Sequence, residues 1–129
     1  MVKALTEDLS PRPCLAVILA KLSDIEGEMR RIGYWSENPP DLRAAAERGE
    51  IRTYLDAPTF ELWLQALFLP NAREAVAADE LPDESEVGMM AQRQYDYQSS
   101  VPEAQTLIQL LREFDRLVVK CARKKRSPR

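Results

Sequence analysis

Apolar residues recur with a helical period at four places along the chain. Leu15, Ile18, Leu22, Ile25, Met29 and Ile32 follow one another at alternating steps of three and four, which gathers them into one seam of a helix. Lys21, Asp24, Glu28 and Arg31 fall outside that seam. Ser10 suits an N-cap and Pro11 the first helical position, where the missing N–H costs nothing. The pattern therefore predicts a helix over 11–32, closed by Gly33 at the position where helices favour glycine. The connector Tyr34-Trp35-Ser36-Glu37-Asn38-Pro39-Pro40 is rigid, because paired prolines stop helix propagation. Residues 42–48 have the composition of a short helical turn ended by Gly49.

A second helix is predicted over 58–78, with Asp56 or Thr59 as its cap. Phe60, Leu62, Trp63, Leu64, Leu67, Phe68 and Leu69 wrap most of its circumference, and only Glu61 and Gln65 keep a polar strip. A helix apolar nearly all round belongs in the middle of a fold. Pro70 sits inside it and removes the hydrogen bond to the Ala66 carbonyl, so a kink or break is expected there. A shorter third helix over 85–97 presents Val87, Met90, Ala91 and Tyr95. The fourth opens on Ser100-Val101-Pro102-Glu103, which reads as a capping box. Ala104, Leu107, Leu111, Phe114, Val118 and Cys121 then repeat at steps of three and four.

No strand alternation or hairpin turn competes. The fold class is all-α, a single-domain bundle of about four helices around an apolar central one. The domain spans 11–122, with a segment 1–10 before it and a basic tail 123–129 expected to be disordered.

Composition narrows the chemistry. Two cysteines, Cys14 and Cys121, stand far apart and outside any CxxC pattern, which is neither a disulfide framework nor a zinc site. An up-and-down bundle would set the start of helix one near the end of helix four and make the two thiols neighbours. In a reducing cytoplasm they are expected free and partly buried. The chain has no histidine, which removes Ser–His–Asp and Cys–His chemistry and the commonest metal ligand. No catalytic residue, metal site or cofactor is assigned, and the reading leans away from an enzyme. No apolar run approaches the length of a membrane span, and the N-terminus lacks the pattern of a signal peptide, so the cytoplasm is the expected compartment. Residues 112–129 carry +6 against −9 for the remainder, which together make the net −3. An acidic body with a basic end is a real asymmetry.

Four stretches together carry a resemblance. Trp35 follows helix one, and Tyr54-Leu55-Asp56 gives an aromatic-x-Asp element. Phe60-Glu61-Leu62-Trp63-Leu64-Gln65-Ala66-Leu67-Phe68-Leu69-Pro70 fits F-x-x-W-L-Q-x-x-F-x-P, and Leu110-Leu111-Arg112-Glu113-Phe114-Asp115-Arg116-Leu117-Val118 fits L-L-x-x-F-D-x-L-V. In order and spacing, from about Leu15 to Val119, the chain resembles the bacterial YqcC-like family. The resemblance implies a small all-α protein without an assigned activity. Genes of that family often lie beside that of tRNA pseudouridine synthase C, so it also implies a role near tRNA modification. A pseudouridine synthase itself needs a larger mixed α/β domain with a catalytic aspartate. Two places depart from the family pattern. Ala57-Pro58 stands where Thr-Met is usual, and Asn71-Ala72 where Arg-Met is usual.

Trp63 with Phe60 and Phe68 could line a ligand pocket, but core packing of a central helix explains them more simply. Trp35 in its proline-rich loop either anchors a partner or caps the bundle. Asp56 reads as a helix cap before it reads as an acid. Gln65 is expected to satisfy a loop backbone group, and Asp115 to salt-bridge or cap a neighbouring element. Trp35, Tyr54, Asp56, Gln65 and Pro70 are the candidate contacts for a protein partner, with the synthase among the possible partners. Arg116, Lys120, Arg123, Lys124, Lys125 and Arg126 are the candidate contacts for RNA or an acidic surface. No aromatic interleaves these charges, so base-stacking platforms are missing. The expected function is a docking or accessory protein. An RNA-binding module is the alternative, and an enzyme with a pocket near Trp63 comes third. Monomer and homodimer both stay open.

Overall fold

The structure, a computed structural model, describes residues 12–96 and 101–126. Its first helix, α1 (Pro13–Arg31), begins where the second of two nearby prolines dictates. A residue ahead of proline is pushed out of the helical region, and Arg12 is extended at φ −61° and ψ 147°. The helix therefore starts two residues later than the periodicity suggests, with Arg12 at the N-cap and Pro13 at the first helical position. Ser10 and Pro11 lie outside the described residues. Leu15, Ile18, Leu22, Ile25 and Met29 are all buried, while Ile32 packs on the core from its edge. Gly33 takes a left-handed conformation, φ 81°. The Tyr34 N–H then reaches back to the Met29 carbonyl at 2.7 Å, which closes the helix in a Schellman end.

The connector leads into α2 (Leu42–Glu47), capped by Asp41 and ended by Gly49 in the same left-handed way. A 3₁₀ turn, Tyr54–Asp56, follows. Next comes a continuous rod of three segments: α3 (Phe60–Trp63), a π-helical turn (Leu64–Phe68) and α4 (Leu69–Ala78). Thr59 is its cap, accepting from the Leu62 N–H at 3.0 Å. Pro70 does not break the helix as expected. The π turn shifts the ladder first, so that the Leu69 N–H bonds to the Leu64 carbonyl five residues back. The donor that proline lacks then falls where the ladder is already displaced. No residue from 60 to 70 is exposed, and Phe60, Leu64, Gln65, Leu67 and Leu69 are buried.

The rod ends at Asp79, the one described non-glycine residue with positive φ, 53°. Arg12 holds its carboxylate with two bonds of 2.6 and 2.9 Å and also donates to the Cys121 carbonyl at 3.2 Å. α5 (Val87–Asp96) starts later than 85 because its cap comes from outside. The Asp115 carboxylate accepts from the Val87 and Gly88 N–H groups at 3.1 and 2.8 Å and from the Ser85 hydroxyl at 2.5 Å. A Cβ on Gly88 would lie 2.7 Å from the Arg112 Cα and N. The two helices approach backbone to backbone because residue 88 is glycine.

A 3₁₀ turn, Pro102–Ala104, opens the last helix, α6 (Gln105–Arg126). Ser100, the expected cap, lies outside the described residues, and Glu103 accepts from the Tyr34 hydroxyl at 3.4 Å. Ala104, Leu107, Leu111, Phe114, Val118 and Cys121 are all buried. The helix does not dissolve at 123 but continues through Arg126, since Lys and Arg are good helix formers. Residues 127–129 lie outside the described residues. α6 is the hub: α1 and α5 pack along it, and α4 packs on α1. Antiparallel packing of α1 and α6 brings Cys14 and Cys121 together, with Cα atoms 5.8 Å apart, and they form a disulfide. This corrects the expectation of free thiols, which rested on the compartment rather than on the geometry. The described residues thus form an all-helical bundle, and none of their helices is long and apolar enough to cross a membrane.

Candidate functional site

A mainly apolar cleft lies where the rod meets α6. The π turn and the residues around it set an aromatic row. Trp63 is stacked with Phe60 (5.7 Å, 22°) and with Phe68 (5.9 Å, 21°). Tyr54 meets Phe60 and Trp63 edge-on at 5.3 and 6.0 Å, and Phe68 meets Phe114 of α6 edge-on at 5.1 Å. Beside this row is the cleft, of about 440 Å³. Trp63, Leu67, Phe68, Ala72 and Ala75 form its rod side, Phe114 and Val118 its α6 side, and Ile51, Leu81 and Pro82 its flanks. Arg52, Asn71 and Ser85 are its polar members. Trp63 therefore does both things the sequence left as alternatives. It is packed in the aromatic row while it also lines the cleft. Asn71 and Ala72, the two positions that depart from the family pattern after Pro70, line it as well, with short side chains that leave it open.

A second depression, of about 550 Å³, adjoins the first. Arg116, Lys120 and Arg123 line it at steps of four and three along α6, together with Val119, Asp115 and Ser85. Ser85 belongs to both depressions. Asp115 cannot neutralise the arginines freely, because both its oxygens accept from the start of α5. Among the described residues, no carboxylate lies within ion-pair distance of Arg116, Lys120 or Arg123. Lys124 is exposed. Lys125 is turned to the rod, where it donates to the Asp79 carbonyl and sits 3.9 Å from its carboxylate. The basic candidates are thus not one patch. Of Arg126 only the helical backbone is described.

The partner-contact candidates also separate. Gln65 is buried, and its amide accepts from the Ser36 N–H at 2.9 Å and donates to the Ser36 carbonyl at 2.8 Å. The loop backbone group it satisfies is Ser36, not the carbonyl left free by Pro70. Gln65 thereby fixes the proline-rich connector and with it Trp35. That indole is half-buried and carries the Arg30 guanidinium 4.4 Å from its ring centroid. With Tyr34, Thr59 and Glu61 it borders a shallow pocket of about 280 Å³, away from the cleft. Tyr54 belongs to the aromatic row. Asp56 does not cap the helix. It accepts from the Arg52 N–H at 2.9 Å, and that backbone bond is the main reason its carboxyl is held below the usual range. Pro70 is half-buried in the rod, one residue before the cleft-lining Asn71.

Ionisable groups elsewhere serve the bundle. Arg12 holds the Asp79 carboxyl low, and Lys21, at 2.6 Å, does the same for Glu113. Burial, then the bond to Glu61, pushes the Tyr95 hydroxyl far up. Among the described residues, no group of three or more His, Cys, Asp or Glu side chains is arranged to hold a metal. Arg52 and Ser85 line the cleft although nothing in the sequence singles them out. No spacing signal links them to Trp63, since each comes from a loop.

No curated protein and no solved structure matches the chain. A family model does: over residues 17–117 the chain matches the one described as tRNA pseudouridine synthase C, and it belongs to that family, DUF446, the YqcC-like proteins.

Proposed function

We propose that the chain is a non-catalytic helical interaction protein that docks on a protein partner through the cleft beside Trp63. One observation supports this reading: a mainly apolar cleft of about 440 Å³, lined by Trp63, Leu67, Phe68, Phe114 and Val118, stays open between the rod and α6. Pockets of several hundred Å³ with a few polar groups at the edge are the usual places where an apolar anchor is received. The family's description carries the name of an enzyme, tRNA pseudouridine synthase C. On this reading that name points to the partner, and the chain acts by docking near tRNA modification, in the cytoplasm. The test is to mix the protein with the tRNA pseudouridine synthase of its own organism on size exclusion with light scattering. A complex of fixed stoichiometry that Ala75→Leu weakens is the expected result. Two separate peaks, with and without tRNA, would count against it.

The basic groove favours a second reading, in which α6 lies along RNA phosphates. Arg116, Lys120 and Arg123 line one groove along the helix, none of them in an ion pair of 4 Å or less among the described residues, although Glu113 acts on Arg116 from farther away. Such binding would weaken steeply with salt, since each neutralised phosphate releases counterions. Affinity for tRNA that does not change with salt would rule it out.

A further inference from the structure

The two depressions on α6 adjoin, and together they specify a ligand more narrowly than either alone. Resting on the reading that the cleft docks a protein, we infer that the occupant is an acidic amphipathic segment. Its apolar side chains enter the cleft at Trp63, Phe68 and Val118, and its carboxylates meet Arg116, Lys120 and Arg123. The juxtaposition carries this. Ser85 lines both depressions, and Val118 of the cleft is adjacent in sequence to Val119 of the groove. An apolar floor thus continues into a basic wall. Arg52 also lines the cleft, but it is ion-paired with Asp56 at 3.8 Å, so the basic wall is the one that α6 supplies.

The three cations of the groove favour an acidic partner over a basic one, and the aromatic geometry disfavours a nucleic acid. Stacking on a base needs a free ring face. Phe60 and Phe68 are already stacked on Trp63 at 5.7 and 5.9 Å, and Phe68 also receives the edge contact with Phe114. What the cleft offers is aliphatic surface and ring edges, which suit leucine- or phenylalanine-like anchors. The polar groups at its edge are too few to read a base by its hydrogen-bonding edge. Carboxylates at the rim would speed encounter and set orientation, while the apolar anchors would carry the affinity.

The test is an amide-resonance titration of the isotope-labelled chain with three probes. One is a short amphipathic helical peptide with leucines on one face and glutamates beside them. The second is the same peptide with lysines in place of the glutamates, and the third is a short oligouridylate. The glutamate peptide is expected to shift Ala72, Ala75, Val118 and Lys120 saturably. Ala75→Leu, and separately Arg116→Glu with Lys120→Glu, should each weaken it roughly tenfold. Both sets of substitutions lie at open or exposed positions, so the unbound spectra should keep the dispersion of the folded chain. The inference is overturned if the lysine peptide binds as tightly, if the oligouridylate shifts the cleft residues, or if no probe moves them. Failure here beside a synthase complex on size exclusion would leave docking standing and remove the acidic occupant. Success here without that complex would keep the occupant's chemistry and remove the synthase as the partner.

Discussion

α6 is packed in two different ways on two of its sides. Toward α1 it meets a regular seam. Ile18, Leu22 and Ile25 are wholly buried, as are Leu107, Leu111 and Cys121. Toward the rod it meets Phe68, Leu67 and Ala75, and a cleft of about 440 Å³ remains between the surfaces. The difference comes from regularity. α1 keeps one helical period through its length, so ridges and grooves stay in phase with those of α6. The rod inserts a π turn at Leu64–Phe68 ahead of Pro70, which rotates everything after it, and small Ala72 and Ala75 then face the gap. A closed seam of this kind holds the fold, and an interrupted one leaves room for a ligand.

The comparison can be broken most sharply on the closed side. Leu22→Ala should cost about 2–5 kcal/mol, the range for a fully buried leucine whose site cannot collapse, and chemical denaturation would measure it. A loss below about 1 kcal/mol would mean that the α1–α6 seam is loose. Next in size is Asp115→Ala, which strips the start of α5 of its acceptor at Val87, Gly88 and Ser85. A lost cap costs about 0.5–2 kcal/mol, and hydrogen exchange should rise at Val87 and Gly88 before it rises in α1.

A smaller effect tests how α1 and α4 are joined. Arg12 depresses the Asp79 carboxyl, so this pair stabilises the fold above the ordinary aspartate value of about 4. The contribution is lost as pH falls through the lower, folded value. Asp79→Asn should therefore lower stability at neutral pH and flatten the decline below about pH 4. An unchanged acid profile would show that the pair contributes nothing. The smallest effect is expected on the open side. Ala75→Leu should leave the melting temperature nearly unchanged, a shift within about 1 kcal/mol, because the added carbons enter space that is already empty. A large loss there would mean the cleft is closed in solution.

Much of the fold was legible because the two long seams are periodic. The steps of three and four in 15–32 and 104–121 placed α1 and α6, while the adjacency of Cys14 and Cys121 followed only if the bundle ran up and down. Gln65 as a partner to loop backbone was also readable, since it is a polar group in an otherwise apolar stretch, whereas for Asp115 a salt bridge and a cap stayed open. Other features were not. Pro13, rather than Pro11, sets the start of α1 because the residue before a proline is driven extended, a local rule that periodicity overrides on paper. The π turn was invisible, because a proline announces a disturbed ladder but not how the ladder adjusts. The Arg12–Asp79 pair spans 67 positions, and no local pattern connects such residues. The cleft itself is a property of poor fit between two helices, which a list of apolar positions does not contain. Trp63 was read as core for that reason, and it is partly buried, packed against the core and lining the cleft.

The most direct test of the contrast between the two sides of α6 is to titrate the labelled chain with the tRNA pseudouridine synthase of its own organism and map the amides that respond. Docking through the open side predicts responses at Leu67, Ala72, Ala75, Val118 and the Arg116–Arg123 side of α6, with α1 silent. Responses centred on α1, or none at saturating synthase, would contradict it.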